Sequence, residues 1–103
     1  MKINFDAVIT TLDGKPIKDA SKDLTLGMVA TSALLSNHED ERPTGQEKAA
    51  RYSLAVKIHG ANSHPLELDL DDAKLIQDLI AKSYTPLVVG QVYGFLNGNT
   101  EED

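Results

Sequence analysis

Residues 66–96, LELDLDDAKLIQDLIAKSYTPLVVGQVYGFL, carry the densest apolar pattern of the chain, and their reading decides the fold. Leu66, Leu68 and Leu70 alternate with Glu67, Asp69 and Asp71, so an extended backbone puts the leucines on one face and the carboxylates on the other. Beyond Asp71 the period changes. Ala73, Ile76, Ile80 and Tyr84, with Leu75 and Leu79 beside them, follow the spacing of an amphipathic helix over residues 71–83. Asp69 or Asp71 can cap its first turn, while Asp72 and Lys82 lie at the ends of the helix dipole that favour their charges. Thr85-Pro86 then interrupts the chain and opens a second helix over 86–97, because proline suits the first helical position and disfavours helix in the residue before it. Its Val88, Val89, Val92, Tyr93, Phe95 and Leu96 cover more than one face, which predicts packing on two sides or sharing with a partner. Gly90 and Gly94 each sacrifice up to about 1 kcal/mol of helix propensity, and they predict another backbone crossing closely there. Asn97-Gly98-Asn99 ends the helix, and residues 99–103 read as an acidic tail following a single globular domain over 1–98.

Working outward, residues 2–20 read as a β-hairpin in which Ile3, Phe5, Ala7 and Ile9 alternate with polar or smaller residues. Asp13-Gly14 is the signal of a tight primed turn, and Pro16 places the return strand at an edge. The extended stretch 66–69 is a candidate third strand. Thr25 caps a helix over 25–36 whose buried stripe is Leu26, Val29, Ala30, Ala33 and Leu34. Residues 37–43, NHEDERP, read as an exposed charged loop. Thr44 and Glu47 match a capping box for a helix over 44–59, with Ala50, Tyr52, Leu54, Ala55 and Ile58 as its apolar surface and Gly60 as a left-handed stop. The fold class is therefore α+β, an N-terminal hairpin packed with about four helices. Its core is expected to draw on Phe5, Ile9, Val29, Leu34, Leu54, Ile58, Leu75, Ile76, Leu79, Ile80, Val88, Val92 and Phe95.

Composition narrows the function classes. The 103 residues contain no cysteine, so neither disulfides nor a thiolate metal site is available. No run approaches the roughly 20 apolar residues that span a bilayer, and the expectation is a cytoplasmic protein without membrane contact. A formal charge of −6 argues against direct nucleic-acid binding and makes a basic protein partner the more natural one. The same charge fits simple solubility, or mimicry of the DNA phosphate backbone.

The candidates for chemistry are few. Glu67, Asp69, Asp71 and Asp72 offer hard oxygen ligands, but an EF-hand loop needs glycine and glutamate where this chain has Asp72 and Asp78, so no metal or cofactor is expected. His38, His59 and His64 form no helical ligand pair, and Ser53 and Ser63 lie in no nucleophile motif. Arg51, Tyr52, Tyr84 and Tyr93 remain as a candidate interaction patch, since arginine and tyrosine concentrate at interface hot spots. The alternative is that the tyrosines are half-buried core residues with wet hydroxyls.

Four segments carry a resemblance: Leu12-Asp-Gly-Lys-Pro-Ile17, Leu24-Thr-Leu-Gly27, Glu47-Lys-Ala-Ala-Arg-Tyr52 and Tyr84-Thr-Pro-Leu-Val-Val-Gly-Gln91. In these the chain resembles small uncharacterised proteins encoded in bacteriophage and prophage genomes. The resemblance implies a viral setting, the host-cell cytoplasm, and no catalytic residue. The expected function is a non-catalytic protein-interaction module, an assembly helper or minor morphogenesis protein, whose partner is a phage structural protein or a second copy of itself. The candidate interaction residues are Arg51, Tyr52, Glu67, Asp69, Asp71, Tyr84, Gly90, Tyr93 and Gly94. The alternative is an acidic DNA mimic or inhibitor of a host protein.

Overall fold

The computed structural model describes residues 2–61 and 64–97 and has the α+β class. In chain order the elements are β1 (Lys2–Ile3), β2 (Lys18–Asp19), β3 (Lys22–Asp23), α1 (Leu26–Leu35), α2 (Gly45–Gly60), β4 (Leu66–Glu67), α3 (Leu70–Ser83) and α4 (Pro86–Asn97). Helix α1 is the hub: it packs on both α2 and α3, and α3 in turn packs on α4. Leu26, Val29, Ala30, Ala33 and Leu34 are all buried, so the apolar face of α1 is wide enough to serve two neighbours. Together with Ile3, Phe5, Ile9, Leu68, Ile76, Ile80 and Val92 they form one continuous core. Leu75 and Phe95 pack against its edge rather than inside it.

The helix starts follow their local chemistry. Thr25 Oγ1 accepts from Met28 N at 3.2 Å, and Thr44 and Glu47 make both bonds of the capping box at 3.1 and 2.8 Å. Of the two candidate caps for α3, Asp69 is the one used, its carboxylate accepting from Asp72 N at 2.8 Å, while Asp71 lies in the first turn. That cap ends the strand alternation one residue early. Leu68 is buried, but Leu70 already belongs to the helix and stands 74% exposed, so the expected row of three leucines on one face is not made. Gly60 is not a left-handed stop either. It stays helical, and the right-handed Ala61 is the cap, its N–H donating to Ile58 O at 3.2 Å. Glycine permits a left-handed ending without imposing one.

The N-terminal hairpin departs most from expectation. Glycine 14 has φ +87°, whereas Asp13 does not adopt positive φ. The turn is a three-residue loop, closed by Thr11 N to Lys15 O and Gly14 N to Thr11 O, both 2.9 Å, instead of the tight primed turn. Only its glycine need be left-handed, which spares the Cβ of Asp13 the steric cost. After this turn the chain forms no long ladder. Ile17 N donates to Ile9 O (3.0 Å), Ile9 N to Leu24 O (2.8 Å) and Leu24 N to Ile17 O (2.7 Å), closing a small ring of three segments. The extended stretch does join the N-terminal strand, β4 pairing with β1 (Ile3↔Leu66), but β2 pairs with β3 separately, so there are two two-stranded sheets and no three-stranded one.

The β2–β3 loop is Ala20-Ser21, with Ala20 at φ +61°. A side chain in the left-handed region costs about 1–2 kcal/mol, and part of this is recovered by glycine against its greater freedom when unfolded. Ala20→Gly is therefore expected to raise the denaturant midpoint by the equivalent of about 0.5–1 kcal/mol. A lowered midpoint would contradict the strain.

At the hub, Gly27 donates its N–H to Phe5 O at 2.8 Å, and a Cβ built on it would stand 3.1 Å from that same oxygen. Phe5 is buried, so its backbone has little room to retreat. Gly27→Ala should cost on the order of 1 kcal/mol through overpacking, read by chemical denaturation. No change would mean that the N-terminal segment moves freely over α1.

Helix α4 is attached to the N-terminal segment by Gln91. Its Oε1 accepts from Thr10 N (2.9 Å) and Thr10 Oγ1 (3.3 Å), while its Nε2 donates to Thr10 O (2.7 Å) and Leu87 O (3.1 Å). The amide thus acts toward Thr10 as a neighbouring strand would, satisfying both backbone groups of one residue.

Candidate functional site

The nine residues singled out in the sequence fall on separate parts of the surface. Arg51 is turned inward, its side chain 12% exposed, and both terminal nitrogens contact the Glu41 carboxylate at 2.9 and 3.1 Å. Lys82 Nζ of α3 lies 3.3 Å from both Glu41 and Asp40. The loop 37–43 is largely exposed, as its charge predicts, and these pairs pin it to α2 and α3. Glu41 is half-buried, and His38 places its Nε2 at 2.9 Å from Ala33 O, where it can donate to the last turn of α1. The Arg51 hydrogen bond holds the Glu41 carboxyl down at about 2 against the opposing effect of burial, with Lys82 assisting. Arg51 is thus occupied by a structural ion pair.

Tyr52 faces the other way. On α2 the buried residues are Leu54, Ala55 and Ile58; helical spacing puts Ala49, Ser53 and Val56 on the opposite side, with Tyr52 beside them. All four are exposed, Tyr52 at 62% and Val56 at 52%, and Ala50 is also outside the core. This outward stripe carries no charge of its own. Lys48 borders it one turn before Tyr52, and Lys57 borders it one turn after Ser53.

Glu67, Asp69 and Asp71 lie elsewhere, with Lys57 and Leu70 around a shallow hollow of about 690 Å³. Asp69 is committed to its cap, and helix α3 carries Asp71 out of line with Glu67, which breaks the carboxylate row. Among the described residues no group of three histidines, aspartates or glutamates could hold a metal ion. His59 lines a hollow of about 190 Å³ with Phe5, Asp6 and Thr31, away from Asp69. Ser63 lies outside the described residues, as do Gly98, Asn99 and the acidic tail.

On α4 the close crossing expected at the glycines is absent. A Cβ at Gly90 or Gly94 would meet nothing within 4 Å. Both glycines are exposed beside Tyr93, which is 40% exposed, while Val88, Val92 and Leu96 are buried and Val89 and Phe95 half-buried. The apolar positions of α4 are consumed by α3 and the N-terminal segment. Tyr84 is half-buried against the core.

One feature had no counterpart in the sequence reading. Between the end of α1, the loop 36–43 and the first half of α2 is a hollow of about 510 Å³, lined by Leu34, Leu35, His38, Glu39, Glu41, Arg42, Pro43, Lys48 and Arg51 among others. Leu35 is 60% exposed on its wall. Its only sequence signal is that Leu35 lies outside the buried stripe of α1. No family model matches the chain, and comparison with curated proteins and with solved structures gave no match.

Proposed function

We propose that this chain is a non-catalytic protein-interaction module that docks through the outward face of α2. One observation carries the reading: Tyr52 and Val56 stand 62% and 52% exposed on one uncharged helical stripe, although the same helix buries a full apolar face on its other side. A large exposed tyrosine among small residues offers rigid contact area at low entropic cost, the chemistry of an interface anchor. The setting proposed is phage or prophage particle assembly, as helper or minor morphogenesis protein, and it rests on the sequence resemblance alone. The alternative of a DNA-mimicking inhibitor has less support, because the carboxylates meant to imitate phosphates are divided between a cap, a strand end and a helix flank.

The test compares tagged wild-type protein with Val56→Asp and Tyr52→Ala in retaining proteins from lysogenic or infected cells. Neither side chain supports the core, so melting temperatures should match. The expected result is a partner held by the wild type and lost by both variants. Retention unaffected by α2 would overturn the reading.

A further inference from the structure

Two cations of the hollow beside α2, Arg42 and Lys48, have no carboxylate partner among the described residues. Arg42 directs Nη1 to the carbonyls of Glu39 (3.1 Å) and Glu41 (2.8 Å), which fixes the guanidinium without pairing it to a carboxylate. Lys48 makes no ion pair among the described residues. Glu41 is already engaged by Arg51 and Lys82, leaving Glu39 as the one uncommitted acid on the wall. Leu35, 60% exposed, supplies an apolar contact next to them. Lys48, on the wall of the hollow, is one helical turn from Tyr52, which brings the hollow next to the α2 stripe.

We infer that the hollow and the stripe together receive an acidic amphipathic helix of a partner protein, one of its carboxylates lying between Arg42 and Lys48 and its apolar side chains on Leu35, Tyr52 and Val56. The inference rests on the interaction-module reading and specifies the partner's chemistry. Charge selects this occupant. A second copy packed antiparallel about Tyr52 and Ser53 would bring Lys48 of each copy against Lys57 of the other, with no acid on either stripe. A nucleic acid could meet the two cations but would leave the aliphatic groups of Leu35 and Val56 without matching surface. An acidic amphipathic helix answers both the cations and the apolar stripe.

The probes are three fluorescein-labelled helical peptides with one leucine stripe, flanked by glutamate, glutamine or lysine, titrated by anisotropy against the full chain at low and moderate salt. The glutamate peptide is expected to bind at least roughly tenfold tighter than the lysine peptide, and less tightly as salt rises. Lys48→Gln and Arg42→Gln should each weaken it severalfold, while Glu39→Gln tightens it. Lys48 has no ion-pair partner among the described residues to lose, so its variant reports on binding even if Arg42→Gln disturbs the loop. Equal affinity for the three peptides, or indifference to Lys48→Gln, would overturn the inference. Displacement of the peptide by a single-stranded oligonucleotide at lower concentration would overturn it in favour of nucleic acid, and a peptide-independent dimer in light scattering would overturn it in favour of a second copy. Failure here with α2-dependent retention from cells would leave the interaction reading standing; failure of both would remove it.

Discussion

Gln91→Ala is expected to lower the unfolding free energy by about 2 kcal/mol, because it removes the partners of both Thr10 backbone groups in one step. The site is half-buried, so water recovers part of what is lost. For a chain of this size the change corresponds to a drop of roughly 10 °C in melting temperature, measured by calorimetry or circular dichroism. Two companion variants separate the backbone bonds from general packing. Thr10→Ala removes only the 3.3 Å hydroxyl contact and should cost less than about 1 kcal/mol. Gln91→Glu keeps an acceptor for Thr10 N but turns a second carboxylate oxygen toward Thr10 O, which lies 2.7 Å from the present amide nitrogen. Repulsion raises the folded-state pKa of that introduced carboxylate above its unfolded value. Its variant should thus be least stable at neutral pH and regain stability as the carboxyl protonates in acid, where it can donate to the carbonyl. A Gln91→Ala protein as stable as the wild type would show that α4 is held by its apolar contacts alone.

Glu41→Gln should cost about 2 kcal/mol at neutral pH, since it leaves the nearly buried Arg51 guanidinium without its carboxylate and releases Lys82 from the loop. Linkage sets the ceiling. A carboxyl lowered from 4.5 to about 2 corresponds to about 3 kcal/mol, and solvent access to both side chains reduces it. The sign follows from the depressed folded-state pKa: the contribution is complete above the unfolded value near 4.5 and disappears as pH falls through about 2. Urea titrations of wild type and Glu41→Gln should accordingly differ most at neutral pH and converge between those two values. Arg51→Lys keeps the charge but loses the two-pronged contact, so about half of the effect should appear. A gap between wild type and Glu41→Gln that persists unchanged to the acid end would place the cost in packing instead of charge.

Local chemistry was enough wherever a few neighbouring residues settle the outcome. The capping box at Thr44 and Glu47, the cap at Thr25 and the Thr85-Pro86 break are visible because each acts within one turn of its own helix. Four apolar periodicities of three and four placed the helices for the same reason. The glycines show the limit of that reading. Gly27 proved to be the position of close approach and Gly90 and Gly94 lie open, because whether a backbone crosses a glycine depends on which segment packs there.

The proposed interaction surface was legible only in part. Tyr52 could be named from its type, but its exposure was decided by packing, which buries only the Leu54, Ala55 and Ile58 face of α2. The partnership of Arg51 with Glu41, ten residues earlier, could not be read, nor could the hollow holding Arg42 and Lys48, since both arise from the path of the loop 36–43 over α1 and α2.

By itself, then, the amino-acid order determined the α+β class, the helices and most of the buried positions, because hydrogen-bonded turns and apolar spacing operate over three or four residues. The tertiary structure decided what the helices touch, which charges are neutralised and which are left over. Those outcomes depend on distances between residues far apart in the chain, as with Thr10 and Gln91, and they exist only once the core has brought such residues together.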